Sequence, residues 1–342
     1  MEKIQTKKFN KSTVTFLIWT ALLCVMPLIL HTNYMVHLCV NSLIFVLLAQ
    51  GLNLILGYCG QMSLGQAGFY AIGAYAFTLG MQKMGMGWWV ALLFAIVLTT
   101  VIGLILGAIG LRNRGSAFII ITILFANIVH LVLMNWIDMT NGQAGITGIS
   151  QPVIFGHTIG TKLGTYYFIL VFVVIMQFFV SRLVDSKIGR AFIAVKQDES
   201  LATSLGISPY HFSLAAFAIS VALAALAGAL RASYSQMASP EMSSFNSIML
   251  YIIMMTVLGG RGTLWGPVLG AFIFTFLPEY LRFADTLRLP IFGAILIILV
   301  LFIPDGLIPT FFKIVRKQKA KKLEAAAAQE VAPAEAEESQ EG

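Results

Sequence analysis

Charge is scarce in this chain. Only 11% of its 342 residues are Asp, Glu, Lys or Arg, and 58% are hydrophobic, whereas a soluble domain carries about 25% charged residues. Such a chain cannot clothe a water-facing surface, which excludes an ordinary soluble globule. Cysteine is scarce too: Cys24, Cys39 and Cys59 all sit in apolar segments and show no CxxC spacing, so neither a metal site nor a disulfide framework is indicated. They read as small core residues. Carboxylates are missing from the interior of the long apolar runs. Asp138, Glu241 and Asp285 fall between runs, and Glu279 and Asp305 sit near run ends, so the chain offers no obvious intramembrane relay for protons or sodium. There is no GxxxxGK[ST] phosphate loop, no HExxH pair and no Ser and His placement that points to hydrolysis. The chain does not bind ATP by that motif and carries no cofactor signature of its own.

What the chain has in abundance is apolar sequence. A bilayer core about 30 Å thick needs about 20 helical residues to cross it, and runs approaching that length recur at 14–30, 35–56, 66–82, 88–109, 116–135, 166–184, 212–233, 246–258, 265–281 and 290–308. The expected fold is all-α: a polytopic helical membrane protein with about ten transmembrane helices, or about eight if the weaker runs fail to cross. The run at 246–258 is short, which predicts a tilted, broken or re-entrant segment. The first run follows Lys3, Lys7, Lys8 and Lys11 without a small-residue cleavage site and reads as an uncleaved span. When alternate loops are assigned to opposite sides with the N-terminus inside, most of the 22 Lys and Arg fall in the inner set, as the positive-inside rule requires. Both termini are then cytoplasmic, and the net charge of +7 reflects orientation and membrane lipid contact; no nucleic-acid partner is indicated. The organisation expected is a basic N-terminus over 1–13, a membrane domain over 14–312, and a basic then Ala/Glu-rich disordered tail over 313–342.

The longest polar stretch predicted to face the cytoplasm is 185–212. Ile188, Ala191, Phe192 and Val195 recur on one face of a helix. A second short helix fits Asp198 to Leu205, with Gly206 free to take a left-handed C-cap. Ser208 offers an N-cap and Pro209 a first helical position for the next span. This segment is either an interfacial loop that fixes topology or a docking element whose exposed Leu201, Leu205 and Phe192 enter a partner's groove.

Two further sets of residues stand out. Gly57, Gly60, Gly65 and Gly68 interleave with Gln61, Ser63 and Gln66, and this density of glycine disfavours a continuous helix. Irregular backbone at membrane depth is tolerated only where protein or a water-filled cavity covers it. Close packing through small residues is one reading of the later glycines and alanines; a place for Gln61, Ser63 and Gln66 along a translocation path, able to receive a substrate carboxylate, is the reading for the polar ones. Asn127 and His130 are three apart and share a helical face, either as a pair buried between helices or as lining of the same path. The GGRGT turn at 259–263 is a tight loop expected on the cytoplasmic side.

Four blocks occur in a familiar order: GLNLILGYCGQMSLGQAGF from Gly51, LRNRGSAF from Leu111, IGRAF from Ile188 leading to DESLATSLGI from Asp198, and VLGGRGTLWGPVLGA from Val257. With them the stretch from Asn41 to Pro309 resembles the LivM-type permeases of branched-chain amino acid ABC transporters. The resemblance implies an importer that translocates Leu, Ile and Val by alternating access. It implies as partners a second, LivH-type permease, two cytoplasmic ATPase subunits of LivG and LivF type that bind the ATP, and an extracytoplasmic amino-acid-binding protein. It also implies that 185–212 holds coupling helices, a role that falls on Gly189, Arg190, Asp198, Glu199, Ala202 and Gly206. The chain departs from the family pattern at Phe192 and Ile193, where a basic residue is frequent, and at Ala126-Asn127, where a Glu is common. Related permeases handle urea, short amides or other amino acids. An ion-coupled secondary transporter or channel is the alternative from another class, and the missing intramembrane carboxylates count against it.

Overall fold

The computed structural model describes residues 16–27, 32–112, 115–154 and 157–281, with scattered positions from 291 to 313. The N-terminal segment 1–13, most of the run at 290–308 and the tail beyond 313 lie outside the described residues. Among the described residues five helices are long and apolar enough to cross a membrane. They are α2 (Asn33–Leu52, extended by a wider turn over Asn53–Tyr58), α4 (Trp88–Gly110), α5 (Ser116–Asn135), α7 (Lys162–Asp185) and α10 (Pro209–Ser235). Shorter apolar helices accompany them: α1 (Phe16–Pro27), α3 (Gln66–Gln82), α11 (Leu250–Gly260, entered through a wide turn at Phe245–Met249) and α12 (Gly266–Tyr280). A single turn, α6 (Ile137–Thr140), follows α5. Two short helices, α8 (Lys187–Gln197) and α9 (Glu199–Ser204), occupy the polar stretch.

The long helices divide by how they are covered. The apolar window of α2 is 89% buried and that of α10 is 72% buried, while those of α4, α5 and α7 are 28 to 33% buried. So α2 and α10 form the centre. α10 packs against α3, α4 and α2, while α2 is flanked by α7, α11 and α12. The apolar exterior of α4, α5 and α7 carries Val97, Ile105, Leu124, Ile128, Val171 and Ile175 in the open, which is the surface expected of helices against lipid. Glycine sets how closely α3 and α10 approach. A Cβ at Gly228 would overlap the Tyr70 carbonyl oxygen, and one at Gly73 would overlap the backbone of Ala225, so these two helices touch backbone to backbone.

The bundle has two unlike ends. At the end opposite α8 and α9, short antiparallel ladders depart from the all-α expectation: Ile146 pairs with Ala238 and Thr147 with Met237, and Val153–Ile154 pairs with His157–Thr158. The first ladder ties the loop after α6 to the end of α10. After Ser235 the chain does not pass straight into another helix. A tight turn over Pro240–Ser243 packs beside α3 and α5 before α11 begins, and the short run at 246–258 forms α11 with its wide entry turn.

Candidate coupling site and helix break

Local capping explains the two short helices. The Ser186 hydroxyl accepts hydrogen bonds from the Ile188 and Gly189 amides (3.1 and 3.3 Å) and so starts α8. A Cβ at Gly189 would collide with the carbonyls of Leu183 and Val184, so glycine lets α8 fold back against the end of α7. Asp198 Oδ1 accepts from the Ser200 and Leu201 amides (2.8 and 3.0 Å) and starts α9. Gly206 closes it at a φ of +78°, the left-handed cap expected from its position. The Gly206 and Ile207 amides then reach back to the carbonyls of Thr203 and Ala202. Pro209 opens α10, but the Ser208 side chain is not a cap; its Oγ lies 2.8 Å from His211 Nδ1.

Burial sorts these residues into two faces. Ala191, Phe192, Val195 and Ala202 are buried with Leu54, Tyr58, Cys59 and Ala216 in a small core of their own. Phe192 therefore corrects the expectation that it is exposed: its ring fills that core, because the helical spacing that places it beside Ala191 and Val195 points it at the bundle. Ile188, in the first turn, is 45% exposed. Arg190, Asp198 and Gly206 are exposed, and Arg190 Nη1 donates to the Asp185 carbonyl (3.1 Å). Leu201 and Leu205 stand out as bare apolar side chains, 60% and 70% exposed. In α9 a buried Ala202 thus holds one side while two leucines face away.

The same loop grips the break in the glycine-rich segment. α2 widens into a π-type turn at Asn53 and ends at Tyr58, and α3 does not start until Gln66. Widening frees backbone carbonyls. Lys196 Nζ at the end of α8 takes the one at Gly57 (2.5 Å), and the lysine stem lies over Gly60, whose φ is +81°. Gln61 Nε2 donates to Glu199 Oε1 (3.1 Å) at the start of α9. On the other side of the break Asn53 Nδ2 donates to the Thr263 carbonyl (2.9 Å), and the Gly262 amide donates to Asn53 Oδ1 (2.8 Å). The α8 and α9 pair, the end of α2 and the α11–α12 turn are hydrogen-bonded into one knot. Burial, and then the nearby Arg261 cation, hold the Lys196 ammonium below the usual lysine value. In either protonation state it keeps N–H groups to donate.

The remaining sequence candidates separate. Ser63 is fully buried and its Oγ accepts from the Gly65 amide at 3.4 Å. Gln66 is fully buried, donating to Ser220 Oγ (2.6 Å), which in turn donates to the Gly51 carbonyl (2.6 Å). Gln61, Ser63 and Gln66 are therefore packed into the protein, and Gln66 is joined through Ser220 to both central helices. Asn127 and His130 are brought together on α5, yet in unlike surroundings. Asn127 is exposed. His130 is half-buried, its Nδ1 3.1 Å from the Pro240 carbonyl oxygen and 2.8 Å from Ser243 Oγ. Two participants in the knot, Asn53 and Lys196, escape the sequence reading, which takes Gly262 only as part of the turn at 259–263. The signal for Asn53 was its position just before the glycine segment, and Lys196 had been counted only for its charge.

The fold is thus a helical membrane bundle whose capped polar elbow is bonded to a break in its central helix. Residues 34–303 match the family model described as the permease component of branched-chain amino acid transport systems, and the chain belongs to that family. It is 32% identical over 297 residues to the LivM permease protein of Salmonella typhimurium strain LT2, covering 80% of this chain and 70% of that one. It is 33% identical over 291 residues to LivM of Escherichia coli K12, covering 78% and 68%. The ribose import permease RbsC of Haemophilus influenzae is 28% identical over 202 residues, 56% of this chain and 59% of that one. No solved structure matches. The chain is a multi-pass protein of the inner membrane.

Proposed function

We propose that this protein is the membrane-spanning subunit of an ATP-driven importer of branched-chain amino acids, working by alternating access with α8 and α9 as its coupling element. The observation that carries the reading is the two-sided build of α9. Leu201 and Leu205 face outward, where an apolar groove of another protein would cover them. Glu199 on the same turn holds Gln61 at the break in the central helix. Arg190, Asp198 and Gly206 give the exposed side its charge and shape, while Gly189 and Ala202 seat it on the bundle. A force applied to α9 from outside reaches α2, and through Asn53 the α11–α12 turn, by hydrogen bonds rather than by loose loops.

On this reading the α8–α9 end is cytoplasmic, both termini lie on that side and the chain crosses about ten times. The partners are two ATPase subunits under α9, which bind the ATP, a second homologous permease, and an extracytoplasmic amino-acid-binding protein at the far end; the chain needs no cofactor of its own. Gln61, Ser63 and Gln66 connect the elbow to the helices of the path, and Asn127 and His130 stand at the path itself. Nucleotide can move such an equilibrium only through its different affinity for the two states. The test is ATP hydrolysis by the assembled complex in the presence of loaded binding protein. Wild type is stimulated and Glu199→Ala is not; equal stimulation of both would remove the coupling role.

A further inference from the structure

The tight turn over Pro240–Ser243 does not lie clear of the bundle. Its Pro240 carbonyl and Ser243 hydroxyl meet His130, which stands five residues before the end of α5 at Asn135. At 1.5 Å per residue, that places the turn about 7 Å inside the helix end. Asn127 stands eight residues from the same end, about 12 Å in, near the middle of a 20-residue helix. Sequence alone put Glu241 in an external loop. The structure instead sets it in this inserted turn, exposed, with Ser247 Oγ donating to its Oε2 at 3.4 Å. Asn246 and Ser247 beside it are exposed as well.

Hydrocarbon does not tolerate this surface. Protein already covers Pro240, Met242 and Ser243, but an exposed carboxylate with exposed Asn246 and Ser247 beside it calls for water at that depth. The exposed α5 side chains around Asn127 are Ile120, Leu124, Ile128, Leu131 and Val132, so Asn127 is a polar break in an otherwise lipid-like wall. We infer that Asn127 and the exposed Glu241, Asn246 and Ser247 line a water-filled passage, and that Glu241 is the residue in it that receives the ammonium group of an amino-acid substrate. The identity of the substrate rests on the importer reading; the existence of a wet, anionic passage does not.

The two parts are tested separately. With Cys24, Cys39 and Cys59 replaced, single-cysteine variants Asn127→Cys, Glu241→Cys and Val97→Cys are assembled into the complex and treated with membrane-impermeant methanethiosulfonates. Val97 is 60% exposed on the apolar face of α4 and serves as the lipid-facing control. Thiols at 127 and 241 react and the one at 97 does not; protection of both 127 and 241 overturns the passage. Reaction of Asn127→Cys with the quaternary trimethylammonioethyl reagent outpaces that with the ethylsulfonate reagent by roughly tenfold more than for a free thiol, as a focused anionic field requires. Adding Glu241→Gln abolishes that preference. A preference that survives Glu241→Gln removes the ammonium site, whatever the complex imports. Labelling that holds while branched-chain amino acid uptake is absent leaves the passage standing and discards the importer reading.

Discussion

Gln61 and Glu199 are 138 positions apart in the chain and 3.1 Å apart in space, the first on the break that follows α2 and the second at the start of α9. With the bond from Lys196 to the Gly57 carbonyl, it is one of two by which movement of the elbow reaches the end of the central helix. Gln61→Leu removes the donor and costs about 1 kcal/mol of local stability. The expected result is a permease that accumulates normally, with substrate-stimulated ATP hydrolysis lowered several-fold. A double-mutant cycle with Glu199→Ala checks it: the second change adds little once the first is made.

How much of this was legible in the sequence depends on the distance over which each feature is decided. Helices set by local apolar runs were legible almost to the residue, as the runs at 66–82 and 116–135 show against α3 and α5. The elbow was legible too, because Asp198 and Gly206 are local caps. Phe192 was misjudged, since a helical face is visible in sequence but the partner that covers it is not. Lys196 and Asn53 were illegible as site residues, because the acceptors they satisfy exist only once α2 widens at Asn53. The insertion of Pro240–Ser243 beside His130 is a tertiary fact that no hydropathy window contains.

Lys196 gives a prediction with a sign. The folded chain holds its ammonium below the usual lysine value, so between that lowered value and the ordinary lysine range the unfolded chain binds more protons. Stability therefore rises with pH across that window. Lys196→Met abolishes the rise, and by leaving the Gly57 carbonyl without its donor it also lowers stability by about 1 kcal/mol near neutrality. Thermal unfolding of the purified complex at a series of alkaline pH values measures both.

Leu201 and Leu205 are 60% and 70% exposed and lie outside the core of the described residues. Leu201→Glu and Leu205→Glu should change stability by no more than about 0.5 kcal/mol, yet reduce recovery of the ATPase subunits with the permease at least tenfold. Unchanged recovery would mean that α9 is not where they dock.

Gly228 is a packing prediction independent of function. Gly228→Val drives a side chain into the Tyr70 carbonyl, separating α3 from α10 at a cost of at least about 2 kcal/mol, and little folded protein should reach the membrane. Gly87→Ala, where a Cβ meets nothing within 4 Å, should accumulate like wild type.

The most direct test of the account is uptake by proteoliposomes holding both permeases and the binding protein, with and without the ATPase subunits. If work enters through α9, labelled leucine accumulates only when those subunits and ATP are present, and Glu199→Ala suppresses it. Accumulation in vesicles that lack them, driven by an imposed ion gradient, would contradict the account.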